Sequence, residues 1–252
     1  MVATIFSLFV KRNAPALPVI LMLVLTNAIP VYGAWVGKLL FFQLIYLFWL
    51  EGFILIVLDD VKIMTARGED KTTGGLSLQM LVAGAIATAS KAEHWSFFKR
   101  LWVAIKSSIL KSLVLFFYLL FIIVFIGLQV TDKSRQVDVW QTIALKNDFF
   151  NFSLATFAIN AVVQLILMFF LNGRYKTESP HLFTFPINGR IIFMHVMIVG
   201  SVFIQISFFK GKTYEAKGEV VYVGLFMLIK ALGDWINLRS RLRENPSEEV
   251  HV

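Results

Sequence analysis

Five ionisable residues stand within or at the edge of long apolar runs: Glu51, Arg190, His195, Lys230 and Asp234. A charged side chain at the centre of a membrane span costs about 2.5 to 3.5 kcal/mol on insertion scales, so each of these asks for a partner or a task. Lys230 and Asp234 are four residues apart and share one helical face. Glu51 precedes the end of its own apolar run by seven residues, a depth of about 10 Å by helix rise. Arg190 and His195 open another run, so three helices contribute to one half of the membrane. Three chemistries suit such a set. The charges can neutralise one another as glue between helices, or line a polar cavity that handles a proton or a solute. Alternatively, His195, Glu51 and Asp234 would ligate a metal. The metal is the poorest fit, because the chain has only four histidines and His94, His181 and His251 fall in connecting or terminal segments. Arg190 can also snorkel to lipid phosphates.

A second polar group lies nearer the N-terminus. Pro30 withdraws the helical N–H from the carbonyl of Thr26 and predicts a kink, and Asn27 beside it is placed to hydrogen-bond across to the following helix. Gln43 and Tyr46 are the predicted receivers there. Asn160, Gln164 and Gln205 read as interhelical hydrogen-bond formers rather than ligand contacts.

Several chemistries are excluded outright. With no cysteine there are no disulfides, thiolate metal sites or thiol nucleophiles. The sequence shows no phosphate-binding loop, dinucleotide glycine motif, HExxH or nucleophile elbow, and no internal repeat. No catalytic residue, metal or cofactor is assigned. Asn151-Phe152-Ser153 matches a glycosylation sequon but falls at a predicted helix start.

The elements that must position these residues are membrane spans. Of 252 residues, 58% are hydrophobic and 16% charged, and mean hydropathy is +0.73, which is outside the range of ordinary soluble domains. A span needs about 20 mostly apolar residues. Six runs qualify, at 16–36, 39–58, 109–130, 149–171, 191–209 and 220–238. They predict an all-α, polytopic membrane helix bundle, one integral domain over 1–252. The first ten residues are apolar but too short to span and lack a cleavage site, so they read as an interfacial segment rather than a signal peptide.

Gly37 and Lys38 leave so short a link that the first two helices are expected to pack side by side, with Gly33 and Gly37 at a spacing that allows close approach. Residues 59–108 form the largest polar excursion, and within it 76–90 is apolar but short, favouring a re-entrant or surface helix over a seventh span. Trp95, Phe98, Leu101, Trp102 and Ile105 then recur at helical spacing among Lys99, Arg100 and Lys106. That pattern fits a cytoplasmic amphipathic helix, either in the headgroup layer or packed on the bundle.

Lys and Arg set the threading. Six spans with both termini cytoplasmic put 15 of the 24 basic residues inside and 7 outside, with Lys111 and Lys230 in spans. The net charge of +8 therefore reflects short basic connections and not nucleic acid. Trp95, Lys99, Arg100, Trp102, Arg239 and Arg241 are the candidate contacts to lipid headgroups. Membrane lipids and other membrane subunits are the partners this composition suits.

The chain resembles an uncharacterised family of prokaryotic integral membrane proteins, a domain of unknown function. The likeness rests on Asn27-Ala28-Ile29-Pro30, then Tyr46-Leu47-Phe48-Trp49-Leu50-Glu51, and on Arg190 with His195 and Lys230 with Asp234. It implies that the charged cluster of Glu51, Arg190, His195, Lys230 and Asp234 is one site, in a prokaryotic inner membrane. Members are often histidine-rich in the third helix, whereas 113–127 here has Phe117 and Tyr118 and no histidine. Any chemistry those histidines support is lost from this chain. The resemblance implies a fold and nothing catalytic. Together these features favour an accessory or scaffolding membrane subunit, with a small transporter or ion-handling protein as the competing reading.

Overall fold

A computed structural model describes residues 16–68, 95–124, 136–184, 196, 199–200 and 216–243. Among them the order is α1 (Ala16–Trp35), α2 (Phe41–Thr65), α3 (Phe97–Phe121), α4 (Gln136–Ile143) and α5 (Asp148–Gln164). A π-helical continuation of α5 (Leu165–Leu171), the short α6 (Arg174–Thr177), a 3-10 turn (Pro180–Phe183) and α7 (Ala216–Arg243) follow. The described residues contain no strand. Four stretches are long and apolar enough to cross a membrane: Leu17–Trp35, Phe41–Thr65, Phe97–Val124 and Val139–Leu171. The chain is an all-α membrane helix bundle.

The outward surface supports that assignment independently. Leu21, Val24, Trp35, Leu113, Phe116, Phe117, Leu228 and Ile236 all face outward, while Thr26, Asn27, Glu51, Lys111, Asn160 and Lys230 are buried. A soluble domain shows the reverse. Lipid outside and polar groups turned to one another inside satisfy both.

The short turn after α1 is a glycine cap. Gly37 has φ +70, its N–H donates to the Ala34 carbonyl at 3.1 Å and that of Lys38 to Gly33 at 2.8 Å, the paired bonds of a Schellman motif. Gln43 caps the start of α2 by accepting from the Leu40 N–H at 2.8 Å. On α5 the cap is Asn147, whose side chain accepts from the Phe150 N–H at 2.9 Å.

The turn does not lay α1 along α2. Instead α1 packs against α5 and α7, and α2 against α3 and α5. Gly33 serves α5: a Cβ there would stand 2.2 Å from the Phe149 ring. The expected side-by-side hairpin is therefore corrected. A short link fixes where a helix starts, but side-chain fit decides which groove it fills.

Helix directions follow from the contacts. α1 and α5 are antiparallel, meeting at Gly33 with Phe149 and at Val19 and Leu23 with Met168. α2 runs with α5, from Tyr46 beside Phe150 to Ala66 beside Phe169. α2 also runs with α7, Phe48 meeting Phe226 and Glu51 meeting Lys230.

Three elements outrun their expected limits, one of them α7, which covers Ala216–Arg243 against an expected 220–238. α2 continues past 58 to Thr65, and the amphipathic segment and the third apolar run are one continuous helix, α3, capped by Ser96 accepting from the Lys99 N–H at 3.3 Å. The stretch 76–90 and most of the expected fifth span lie outside the described residues.

Candidate functional site

Lys230 is 2% exposed, although it sits in the middle of α7. Its ammonium lies 2.6 Å from Asp234, one turn along the same helix, and 3.5 Å from Glu51 of α2. The spacing of Lys230 and Asp234 brings the first contact about locally; the second depends on α2 and α7 packing in register. The rings of Phe157 and Phe48, 4.9 and 5.6 Å from Nζ, complete the surround and offer a cation–π contact. Glu51 is itself only 3% exposed.

The depth of this layer differs from the sequence reading. Because α2 runs on to Thr65, Glu51 stands fourteen residues from its end, about 21 Å by helix rise rather than about 10 Å. The ion layer is central in the bundle. Of the other two members of the predicted set, Arg190 and His195 lie outside the described residues.

The extension of α2 carries charges that the sequence reading put at the start of the polar excursion 59–108. Asp59 accepts from Lys62 at 2.9 Å and from Lys111 of α3 at 2.9 Å. Lys111, only 2% exposed, also donates to the Phe183 carbonyl at 2.5 Å. Ser108 Oγ donates to Asp60 at 2.5 Å, and Ser107 Oγ to the Thr184 carbonyl at 3.1 Å. This second polar layer lies about 12 Å from Glu51 along α2. The sequence reading missed it, though Lys111 inside a span and two adjacent aspartates at a span's end were signals that each needed a partner.

The remaining predicted residues separate. Asn27 Nδ2 donates to the Leu23 carbonyl in its own helix at 2.8 Å, and Gln43 Nε2 to Thr142 of α4 at 2.8 Å. Tyr46 stacks between Phe42, Trp49 and Phe150. The expected polar contacts from Asn27 to Gln43 and Tyr46 are not formed, because α5 and α7 occupy the flank of α1 instead. Pro30 stays within α1, which runs from Ala16 to Trp35 on both sides of it. Asn160 and Gln164 bond to each other at 3.2 Å within α5.

At the start of α3, Arg100 turns inward and donates to the carbonyls of Met64 at 3.2 Å and Ala66 at 2.5 Å, binding the C-terminal end of α2. Trp95 is buried edge-on against His181, with Lys99 over its ring at 4.9 Å. Trp102 and Lys99 are exposed, Trp102 with Lys106 over its ring at 5.1 Å. The side chains of Arg239 and Arg241 lie outside the described residues.

Residues 10–250 match the model described as Family of unknown function (DUF6498). The chain belongs to that family. Nearly the whole chain is covered, so both polar layers, at Glu51, Lys230 and Asp234 and at Asp59 and Lys111, fall within the family's extent. No curated protein and no solved structure matches the chain. Membership in this family thus supplies no activity, and function must be argued from the layers themselves. Among the described residues no group of three or more histidines or acids could hold a metal ion.

Proposed function

We propose that this chain is a small, non-catalytic membrane protein that handles a small cation, a proton or a metal ion, through the layer of Glu51, Lys230 and Asp234. The observation that carries the reading is one buried ammonium shared between carboxylates of two helices near the middle of a span. A structural ion pair is held at hydrogen-bond length, as Lys230 and Asp234 are at 2.6 Å. The Glu51 contact, at 3.5 Å, is looser, so the ammonium can exchange between the two acids at small cost. Ionisable groups buried inside spans are rare, and among their uses are ion paths and proton relays.

The test is flux. Purified chain in proteoliposomes should dissipate an imposed pH or sodium gradient faster than protein-free vesicles, and Glu51→Gln should lower that rate at least tenfold while its melting temperature in detergent stays within a few degrees. Vesicles no leakier than empty ones, or a Glu51→Gln chain that loses its fold, would return the layer to a purely structural role.

A second reading, that of an accessory or scaffolding subunit, is favoured by α3. It packs on α2 and turns Phe98, Trp102, Ile109, Leu113, Phe116 and Phe117 outward, a face that lipids or another membrane subunit would cover. Co-purification in mild detergent checks it: a stoichiometric second polypeptide supports this reading, and a clean monomer counts against it. In either case the reading places the protein in a prokaryotic inner membrane, with termini inside by the distribution of Lys and Arg.

A further inference from the structure

Asn27 of α1 is 8% exposed. Its Nδ2 is committed to the Leu23 carbonyl, which can only accept, so Oδ1 is the atom left facing away from that turn. Among the described residues that oxygen is buried and accepts no hydrogen bond. A buried acceptor without a donor is costly and uncommon. One residue earlier, the Thr26 carbonyl is denied its helical donor, because Pro30, four residues on, has no N–H. An oxygen without a donor and a carbonyl without its helical donor thus sit on adjacent residues, halfway along a span.

Register places them at the ion layer. Val19 and Leu23 of α1 share a cluster with Leu238 of α7, and the two helices are packed antiparallel. One turn on from Leu23, Asn27 lies level with the turn of α7 that carries Lys230 and Asp234. Oxygen donors alone, two of them carboxylates and two neutral, suit a small hard cation and not a soft or transition metal. A bare proton needs one basic atom and would leave the neutral oxygens without a role. The Phe157 and Phe48 rings stand beside Lys230 Nζ and give the ammonium a place to lean when it gives way.

We infer that Asn27 Oδ1 and the Thr26 carbonyl are the neutral ligands of a monovalent metal-cation site, completed by Asp234 and Glu51, in which Lys230 is the tethered competitor. The inference rests on the ion-handling reading above and narrows it to a class of ion. Binding moves no electrons and breaks no bond: the metal ion takes the carboxylate oxygens, and the ammonium shifts toward the aromatic rings.

The experiment is thermal melting of the full chain in mild detergent with sodium chloride, against choline chloride at equal ionic strength. Sodium should raise the melting temperature saturably, by a few degrees at about ten times its dissociation constant. Asn27→Leu should abolish that increment. Asn27→Asp, which puts a carboxylate in place of the amide, should enlarge it, and this variant decides the matter should the leucine variant not fold. No sodium increment in the unaltered chain, an increment retained in Asn27→Leu, or one unchanged in Asn27→Asp overturns the site. If sodium has no effect while Glu51→Gln still abolishes dissipation of a pH gradient, the narrower inference fails and the ion-handling reading stands. Loss of both fails both.

Discussion

Lys111 shows how a single side chain decides where a span ends. Its ammonium is buried between Asp59 and the Phe183 carbonyl, so removing it leaves a carboxylate inside the bundle with one cation fewer and a carbonyl without its donor. Breaking a buried pair in this way costs about 3 kcal/mol. Lys62 holds the same carboxylate from a more exposed position, 13% against 2%, and exposed pairs contribute about 1 kcal/mol or less. Lys111→Met should therefore lower the melting temperature in detergent by several degrees more than Lys62→Met. Equal losses would show that Lys111 is not the partner on which the second layer depends. Only half of this was legible in the sequence. A lysine within an apolar run announces that it has a partner, but the partner is Asp59, 52 positions away, and no spacing rule reaches that far.

At the scale of elements, legibility tracks how local the determining physics is. The limits of α1 and α5 come out within a residue or two of the apolar runs, because hydropathy falls off sharply at the glycine turn and at the Asn147 cap. The end of α2 does not. Asp59, Asp60 and Lys62 read as the start of a polar excursion, yet Asp59 pairs with Lys62 in its own turn and with Lys111 of α3, Asp60 takes one hydrogen bond from Ser108, and the helix continues to Thr65. Once those charges are neutralised, nothing local ends the helix. The same misreading put Glu51 too near the membrane surface. Its pairing with Lys230, by contrast, was within reach of sequence reasoning, since an acid in one span and a base in another both need compensation. Neighbour choice was the least legible feature. The turn at Gly37 is written in the sequence, but that α1 leaves α2 and takes up α5 and α7 depends on Phe149 filling the space over Gly33.

For the whole molecule, the two ends of the bundle differ in charge, and this gives a prediction about orientation. One end gathers the C-terminal part of α2, the start of α3 and the 174–184 segment: the Arg67 N–H donates to the Tyr175 carbonyl at 2.7 Å and that of Gly68 to Glu178 at 3.0 Å. Leu238, near the end of α7, and Val19, near the start of α1, meet at the same end of α5. The opposite end holds the turn at Gly37 and the corner between α4 and α5, where Gln43 meets Thr142. Segments that the basic-residue count assigns to one side are thus brought together by contacts that take no account of charge. Positive-inside bias then predicts that the Arg67 end faces the cytoplasm. The chain has no cysteine, so single replacements report sidedness without background. Arg67→Cys and Lys176→Cys, both exposed, should react with an impermeant maleimide only in inside-out vesicles. Lys38→Cys and Lys146→Cys, exposed at the other end, should react only in right-side-out ones. Labelling of Arg67→Cys and Lys38→Cys from the same side would mean that α2 does not cross, and the central position of Glu51, Lys230 and Asp234 would fall with it.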